Sequence, residues 1–269
     1  MNGTMQGSGT RDNPYLIEDK EDFFSITGGT SSQYKYYKQV ADIDFSGETR
    51  SMYIVGYLIY DGGHYKILNW KIVSPCLIEY KYYTELYNME FINCEVNNNS
   101  DCSFILAKVD TVIQNCAFHG MVTSGANGSV VDASSSGSRV YYILGCYFEV
   151  KVEASAAYTI NGYGIVNVVD SIFNCEFISN TAYTHVSKNQ RSYLRRNYIL
   201  NDFSKVIQRD SIRAITEDGS TKDNNLTMYN IVNIDKCGIS DVYVADGVNI
   251  LTDEECKNIT HFEDLGWWL

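Results

Sequence analysis

Apolar and polar residues alternate with a period of two through Tyr147-Phe148-Glu149-Val150-Lys151-Val152. That period places every second side chain on the same face of an extended strand. Comparable short segments fill the middle of the chain, at 77–79, 89–92, 104–107, 111–113, 140–144, 147–152, 164–168, 171–178, 198–200 and 228–234. Between them, residues 97–101, 123–129 and 134–138 are runs of Asn, Ser, Gly, Thr and Asp, expected as turns and protruding loops. Near the start, Asp19 is a helix cap, Glu21 and Asp22 suit a first turn, and Phe23, Phe24 and Ile26 form an apolar face. Gly28-Gly29 is the expected end of that helix.

One strand recurs. Ile92-Asn93-Cys94-Glu95-Val96, Gln114-Asn115-Cys116-Ala117-Phe118, Leu144-Gly145-Cys146-Tyr147-Phe148 and Phe173-Asn174-Cys175-Glu176-Phe177 are variants of it, and Arg196-Asn197-Tyr198-Ile199-Leu200 is a looser copy. A strand that returns every few tens of residues marks a stacked, solenoid-like architecture. Strands about 4.8 Å apart in roughly eight coils make a rod of about 40 Å. In such a stack Cys94, Cys116, Cys146 and Cys175 are expected to point inward one above another. Asn93, Asn115 and Asn174 are expected to take left-handed corners and to bond their amides from coil to coil. These seven residues form a proposed structural ladder.

The opening adds a resemblance. Gly-x-Gly-Thr-x-x-Asn-Pro-Tyr-x-Ile at residues 7–17, a helix, Val40-Ala41-Asp42-Ile43-Asp44-Phe45, and Tyr60-Asp61-Gly62-Gly63-His64-Tyr65-Lys66-Ile67 follow in that order. This resembles the opening of right-handed parallel β-helix proteins of bacteriophage particles and of gut-bacterial surfaces, including those with GLUG-type repeats. The ending, a short helix with a Thr252–Glu255 capping box followed by Phe262, Leu265, Trp267 and Trp268, resembles that family's ending too. The resemblance implies an all-β, single-chain right-handed parallel β-helix. Its parts are a strand-plus-helix cap at 1–30, coils at 31–250 and a helix/Trp cap at 251–269, together one complete unit.

Composition limits the functions. A net charge of −12 argues against a nucleic-acid binder and against electrostatic docking on anionic lipid. No apolar run is long enough for a membrane helix, so membrane insertion is not expected. The first residues lack the basic and apolar regions of a secretory signal, so export by that route is not expected. Eight cysteines without close C-x-x-C pairs read as free buried thiols rather than metal ligands or disulfides. His64, His119, His185 and His261 have no sequence companions and read as structural.

Enzymatic β-helices need carboxylates gathered on one face. No Asp-Asp pair occurs, His119-Gly120 stands alone, and Asp110, Asp132, Glu153 and Asp170 are scattered. The expectation is therefore a non-enzymatic bacteriophage virion protein of the tail, baseplate, fibre or head, assembled in the host cytoplasm, with no catalytic, cofactor or metal site. Its expected partners are other virion proteins, copies of itself in a trimer, and host surface glycans met by exposed tyrosines and Asn/Ser loops. The alternatives are a polysaccharide-degrading β-helix enzyme and a bacterial cell-surface adhesin. The basic segment from Lys188 to Arg213 includes Arg191, Arg195 and Arg196, a candidate docking surface for an acidic partner.

Overall fold

The computed structural model describes residues 5–133, 139–162, 164–187, 194–208, 227–228, 230–237 and 248–256. Every ladder between its strands is parallel, and together they form a β-solenoid of about seven turns. One sheet stacks Tyr15–Ile17, Lys35–Gln39, Leu58–Asp61, Thr84–Tyr87, Thr111–Gln114, Val140–Leu144, Ile165–Val169, Leu194–Arg195 and Thr227–Met228. The remaining strands form a second, folded sheet. Its central strand, Tyr147–Gly162, bends round a corner and pairs with Ala117–Ser124 along its first half and Asn127–Ala133 along its second. The expected loop at 123–129 is therefore mostly strand, with only a bend at Gly125-Ala126 between two paired segments.

The core is organised by phenylalanine. Phe91, Phe118, Phe148 and Phe173 lie directly opposite one another on successive coils. Their rings stack at 5.2, 5.2 and 5.0 Å, with planes within 8° of parallel. The same column runs back to Ile67 and Ile43 and forward to Ile199 and Val232. The repeat length is uneven, from 18 residues (Asn230 to Val248) to 33 (Tyr198 to Ile231), because the corners absorb insertions while the wall strands stay in register.

The recurring cysteines do not make one file. Cys94 lies opposite Gly120, which lies opposite Val150, and Cys175 falls in that same column because it precedes Glu176, the partner of Lys151. Cys116 and Cys146 stand in a different column, each just before the paired residues Ala117 and Tyr147. That second column continues as a buried polar ladder. Ser171 accepts from the Cys146 N–H at 3.2 Å, Asn197 from Ser171 at 3.0 Å, and Asn230 from Asn197 at 3.0 Å.

The asparagines divide in the same way. Asn93 and Asn115 are left-handed, with φ of 54° and 52°, but they turn different corners. Asn93 bonds Asn69, which bonds Asp44, whereas Asn115 bonds Asn88, which bonds Asp61. Asn174 is not left-handed; its amide reaches the Tyr147 hydroxyl at 3.4 Å. An amide ladder forms only where equivalent corners stack, and the recurring Asn-Cys pair falls on two different corners.

The first helix is short, Lys20–Phe24, with the Asp19 carboxylate accepting from the N–H groups of Glu21 and Asp22. Phe23 is buried edge-on against Phe45, Tyr60 and Trp70. The helix stops at Ser25, before Gly28-Gly29. Those glycines serve a close chain approach: a Cβ on Gly28 would fall 2.1 Å from the Gly56 backbone. Thr252 and Glu255 exchange the two bonds of a capping box ahead of the helix Asp253–Cys256. Phe262, Leu265, Trp267 and Trp268 lie outside the described residues.

Candidate functional site

Strand alternation builds the most distinctive surface feature. In Tyr83-Thr84-Glu85-Leu86-Tyr87, Thr84 and Leu86 point into the core, so Tyr83, Glu85 and Tyr87 share the outer face of the first sheet. Tyr83 donates to one carboxylate oxygen of Glu85 at 2.7 Å, and Tyr87 donates to the other at 2.5 Å. Burial, and then the bond to Glu85 and its negative charge, push the Tyr87 phenol up to about 12 and raise Tyr83 as well. Both phenols are thus held as donors.

A file of rings leads into this clamp. Tyr34 and Tyr57 occupy the corner position before their strands, as Tyr83 does before its own, so the three come from equivalent positions on successive coils. Tyr34 packs on Tyr57 at 5.5 Å with an 18° tilt and on Tyr83 at 5.7 Å. Tyr57 also packs on Tyr82 at 5.5 Å, and Tyr82 is 43% exposed. Beyond the clamp, the outer row continues from Ile59 through Glu85 and Val112 to the exposed Tyr142. The result is an aromatic and aliphatic strip around the held carboxylate of Glu85.

A second cluster lies on the other sheet. His119 and Glu149 are direct register partners on adjacent coils, with Nδ1 2.9 Å from the carboxylate. The imidazole lies 5.4 Å from the Tyr147 ring, whose phenol is raised chiefly by burial. His119 therefore has a companion that sequence spacing did not disclose, brought from 30 residues away by the coil. His64 is an exposed, left-handed turn residue at φ 62°. His261 and the His185 side chain lie outside what the structure describes.

Elsewhere the outer wall neutralises itself. Lys71 pairs with Glu95, Lys151 with Glu153 and Lys205 with Glu176. A shallow groove of about 400 Å³, lined in part by Glu153, Ser179, Lys205 and Ile207, is bordered by these paired charges. Within the candidate docking segment, Arg196 is committed to Asp170 through two bonds of 2.5 Å. Arg195 lies on the next-to-last strand of the first sheet, between Val169 and Met228, and Arg191 is outside the described residues. Among the described residues no group of three or more His, Cys, Asp or Glu side chains is arranged to hold a metal ion. No described helix is long and apolar enough to cross a membrane.

These features belong to the class of all-β parallel β-solenoid proteins. No family model and no curated protein sequence matches this chain. Among solved structures, the chain is similar to the crystal structure of a proposed immunoglobulin A1 protease from Bacteroides ovatus, with 16% identity and a TM-score of 0.50. The likeness covers 94% of this chain and 88% of that one. At that identity the likeness shows the architecture, and nothing in it is specific to bacteriophages. It also corrects one expectation. The chain was expected not to be an enzyme, yet the architecture it shares is that of a proposed protease, so the β-solenoid gives no ground for a non-enzymatic assignment.

Proposed function

We propose that this β-solenoid binds polysaccharide along the outer face of its first sheet. The observation that carries the proposal is the ring file Tyr82–Tyr57–Tyr34–Tyr83, joined to the clamped carboxylate of Glu85. Phenol faces accept the C–H faces of sugars. Fixed coil spacing repeats the contact along a polymer, so weak individual contacts of about 0.5–1.5 kcal/mol accumulate. A rigid wall also lowers the ordering cost of binding.

The setting proposed for this activity is a bacteriophage particle that meets host surface glycans, alongside other virion proteins or further copies of the chain. Its support is the resemblance of residues 7–72 and of the recurring strand. A bacterial cell surface is the alternative setting. Counting copies of this chain in purified particles by mass spectrometry separates the two: a fixed number per particle supports the virion, and absence removes it.

The binding role is tested on a glycan array with the wild type and a Tyr57→Ala/Tyr82→Ala variant. Selective binding by the wild type, weakened at least tenfold in the variant, supports it. A blank array for the wild type defeats it.

A degradative reading has an observation of its own. Glu149 holds Nδ1 of His119, which leaves Nε2 without a hydrogen bond among the described residues and oriented by its partner. That is the arrangement a general base requires. Release of new reducing ends or unsaturated sugar from a bound polysaccharide, abolished by His119→Ala, would establish it. No release from any polysaccharide the protein binds would exclude it.

A further inference from the structure

We infer that the ligand of the tyrosine flank is a glycan bearing nitrogen substituents, amino or acetamido, and that the carboxylate of Glu85 selects it. The inference rests on the binding role proposed above and names its substrate class.

Glu85 differs from five other glutamates of the outer wall. Glu79, Glu95, Glu149, Glu153 and Glu176 each lie against a lysine or histidine. Glu85 has no cationic partner among the described residues; its register neighbours are Ile59 on one coil and Val112 on the next. Its charge is therefore unneutralised and half-buried on an aromatic and aliphatic strip. A carboxylate in that position is stabilised by whatever brings an N–H donor or a positive charge to it.

The clamp fixes the direction of that demand. Each carboxylate oxygen has acceptor capacity for two hydrogen bonds, and one is taken by a phenol. One acceptor site per oxygen remains, on a group that can no longer rotate. An ammonium or an amide N–H fits it. An ammonium gains further from the electron-rich ring faces beside it. A uronate or a sulfate meets like charge, added to the −12 of the whole chain. A neutral hydroxyl donor fits but gains less, because it brings neither the charge of an ammonium nor the larger dipole of an amide.

The test uses soluble β-1,4-linked oligosaccharides of one length, in calorimetric titrations against the whole protein. They are oligomers of glucosamine, N-acetylglucosamine, glucose and galacturonic acid. The inference expects the two nitrogen-bearing oligomers to bind at least ten times more tightly than the glucose oligomer, and the uronate not to bind. Glucosamine tighter than N-acetylglucosamine assigns the preference to charge; equal binding assigns it to N–H donation.

Glu85→Gln keeps the shape and the acceptor for one phenol, and should bring the nitrogen-bearing and glucose oligomers within about twofold of each other. If the preference survives Glu85→Gln, or if the uronate binds most tightly, the inference is overturned while the binding role stands. If Tyr57→Ala/Tyr82→Ala loses no affinity for any oligomer, or if none binds the wild type, the binding role falls and the inference with it.

Discussion

The ring of Phe118 lies parallel to that of Phe148, 5.2 Å away and within 5°, although 30 residues of chain separate them. Each ring is completely buried and has another above or below it. In a solenoid each coil is held mainly by its neighbours, so a gap in this column weakens two interfaces at once. Phe118→Ala should cost about 3–5 kcal/mol, and Phe118→Leu under about 1.5–2 kcal/mol because the volume is largely kept. Urea unfolding followed by circular dichroism measures both. Equal, small losses for the two variants would show that the column is not a principal source of stability.

That column explains how much of the molecule was legible in its sequence. The period-two pattern and the returning strand were enough to expect an all-β stacked fold, and the parallel β-solenoid agrees. The register was not legible, because the most visible repeated residue was a misleading anchor. Cysteine precedes the stacked phenylalanine by two at Phe118 and Phe148 but follows it at Phe91 and Phe173. Alignment on phenylalanine would have separated the two cysteine columns and the two asparagine corners. The tyrosine clamp was visible as the alternation Tyr83-Thr84-Glu85-Leu86-Tyr87, a segment easily passed over because only its tyrosines are large. The pairing of His119 with Glu149 was not visible, since it depends on coil length.

The cysteines supply a second prediction. The seven described as free and buried are Cys76, Cys94, Cys102, Cys116, Cys146, Cys175 and Cys237. Burial pushes Cys94 and Cys237 up to about 12 and Cys175 to about 11, so little reactive thiolate exists at neutral pH. In native protein these seven should resist a thiol-specific reagent for hours and react together on denaturation, as read by intact mass. Rapid native labelling at Cys94 or Cys175 would show that the wall opens there.

Glu48 predicts an acid limb to the stability. Its buried side chain accepts from the Arg50 side chain at 2.7 and 2.9 Å and from the N–H groups of Thr49 and Arg50. The Arg50 guanidinium also lies 4.0 Å over the Phe24 ring, which ties this pair to the first helix. Bonding to Arg50 outweighs the burial cost and lowers the carboxyl from its ordinary 4.5 to about 2. A depressed carboxyl contributes stability above its unfolded value and loses it as pH falls through the folded one. Between about pH 4.5 and 2, thermal stability should therefore decline in the wild type, and less steeply in Glu48→Gln. Parallel melting curves for the two proteins over that range would assign the acid loss to other carboxylates.

The corner that includes Arg196 supports a last prediction. Asn88, Asn115, Gly145, Asp170 and Arg196 each take a left-handed backbone, with φ between 52° and 58°. The first four are residue types that enter this region readily, by a short polar side chain or by having none. Arginine is not, and the two 2.5 Å bonds from Arg196 to Asp170 on the preceding coil offset the strain. Removing the side chain should then act in two separable ways. Arg196→Ala loses the ion pair and keeps the left-handed cost, whereas Arg196→Gly loses the pair and relieves the backbone by about 1 kcal/mol. Glycine should therefore be the more stable replacement, and Asp170→Asn should destabilise the wild type but scarcely affect the glycine variant. Urea midpoints measure all three. Alanine matching or exceeding glycine would mean that the corner is not strained at Arg196, and that the ion pair serves something other than holding the turn.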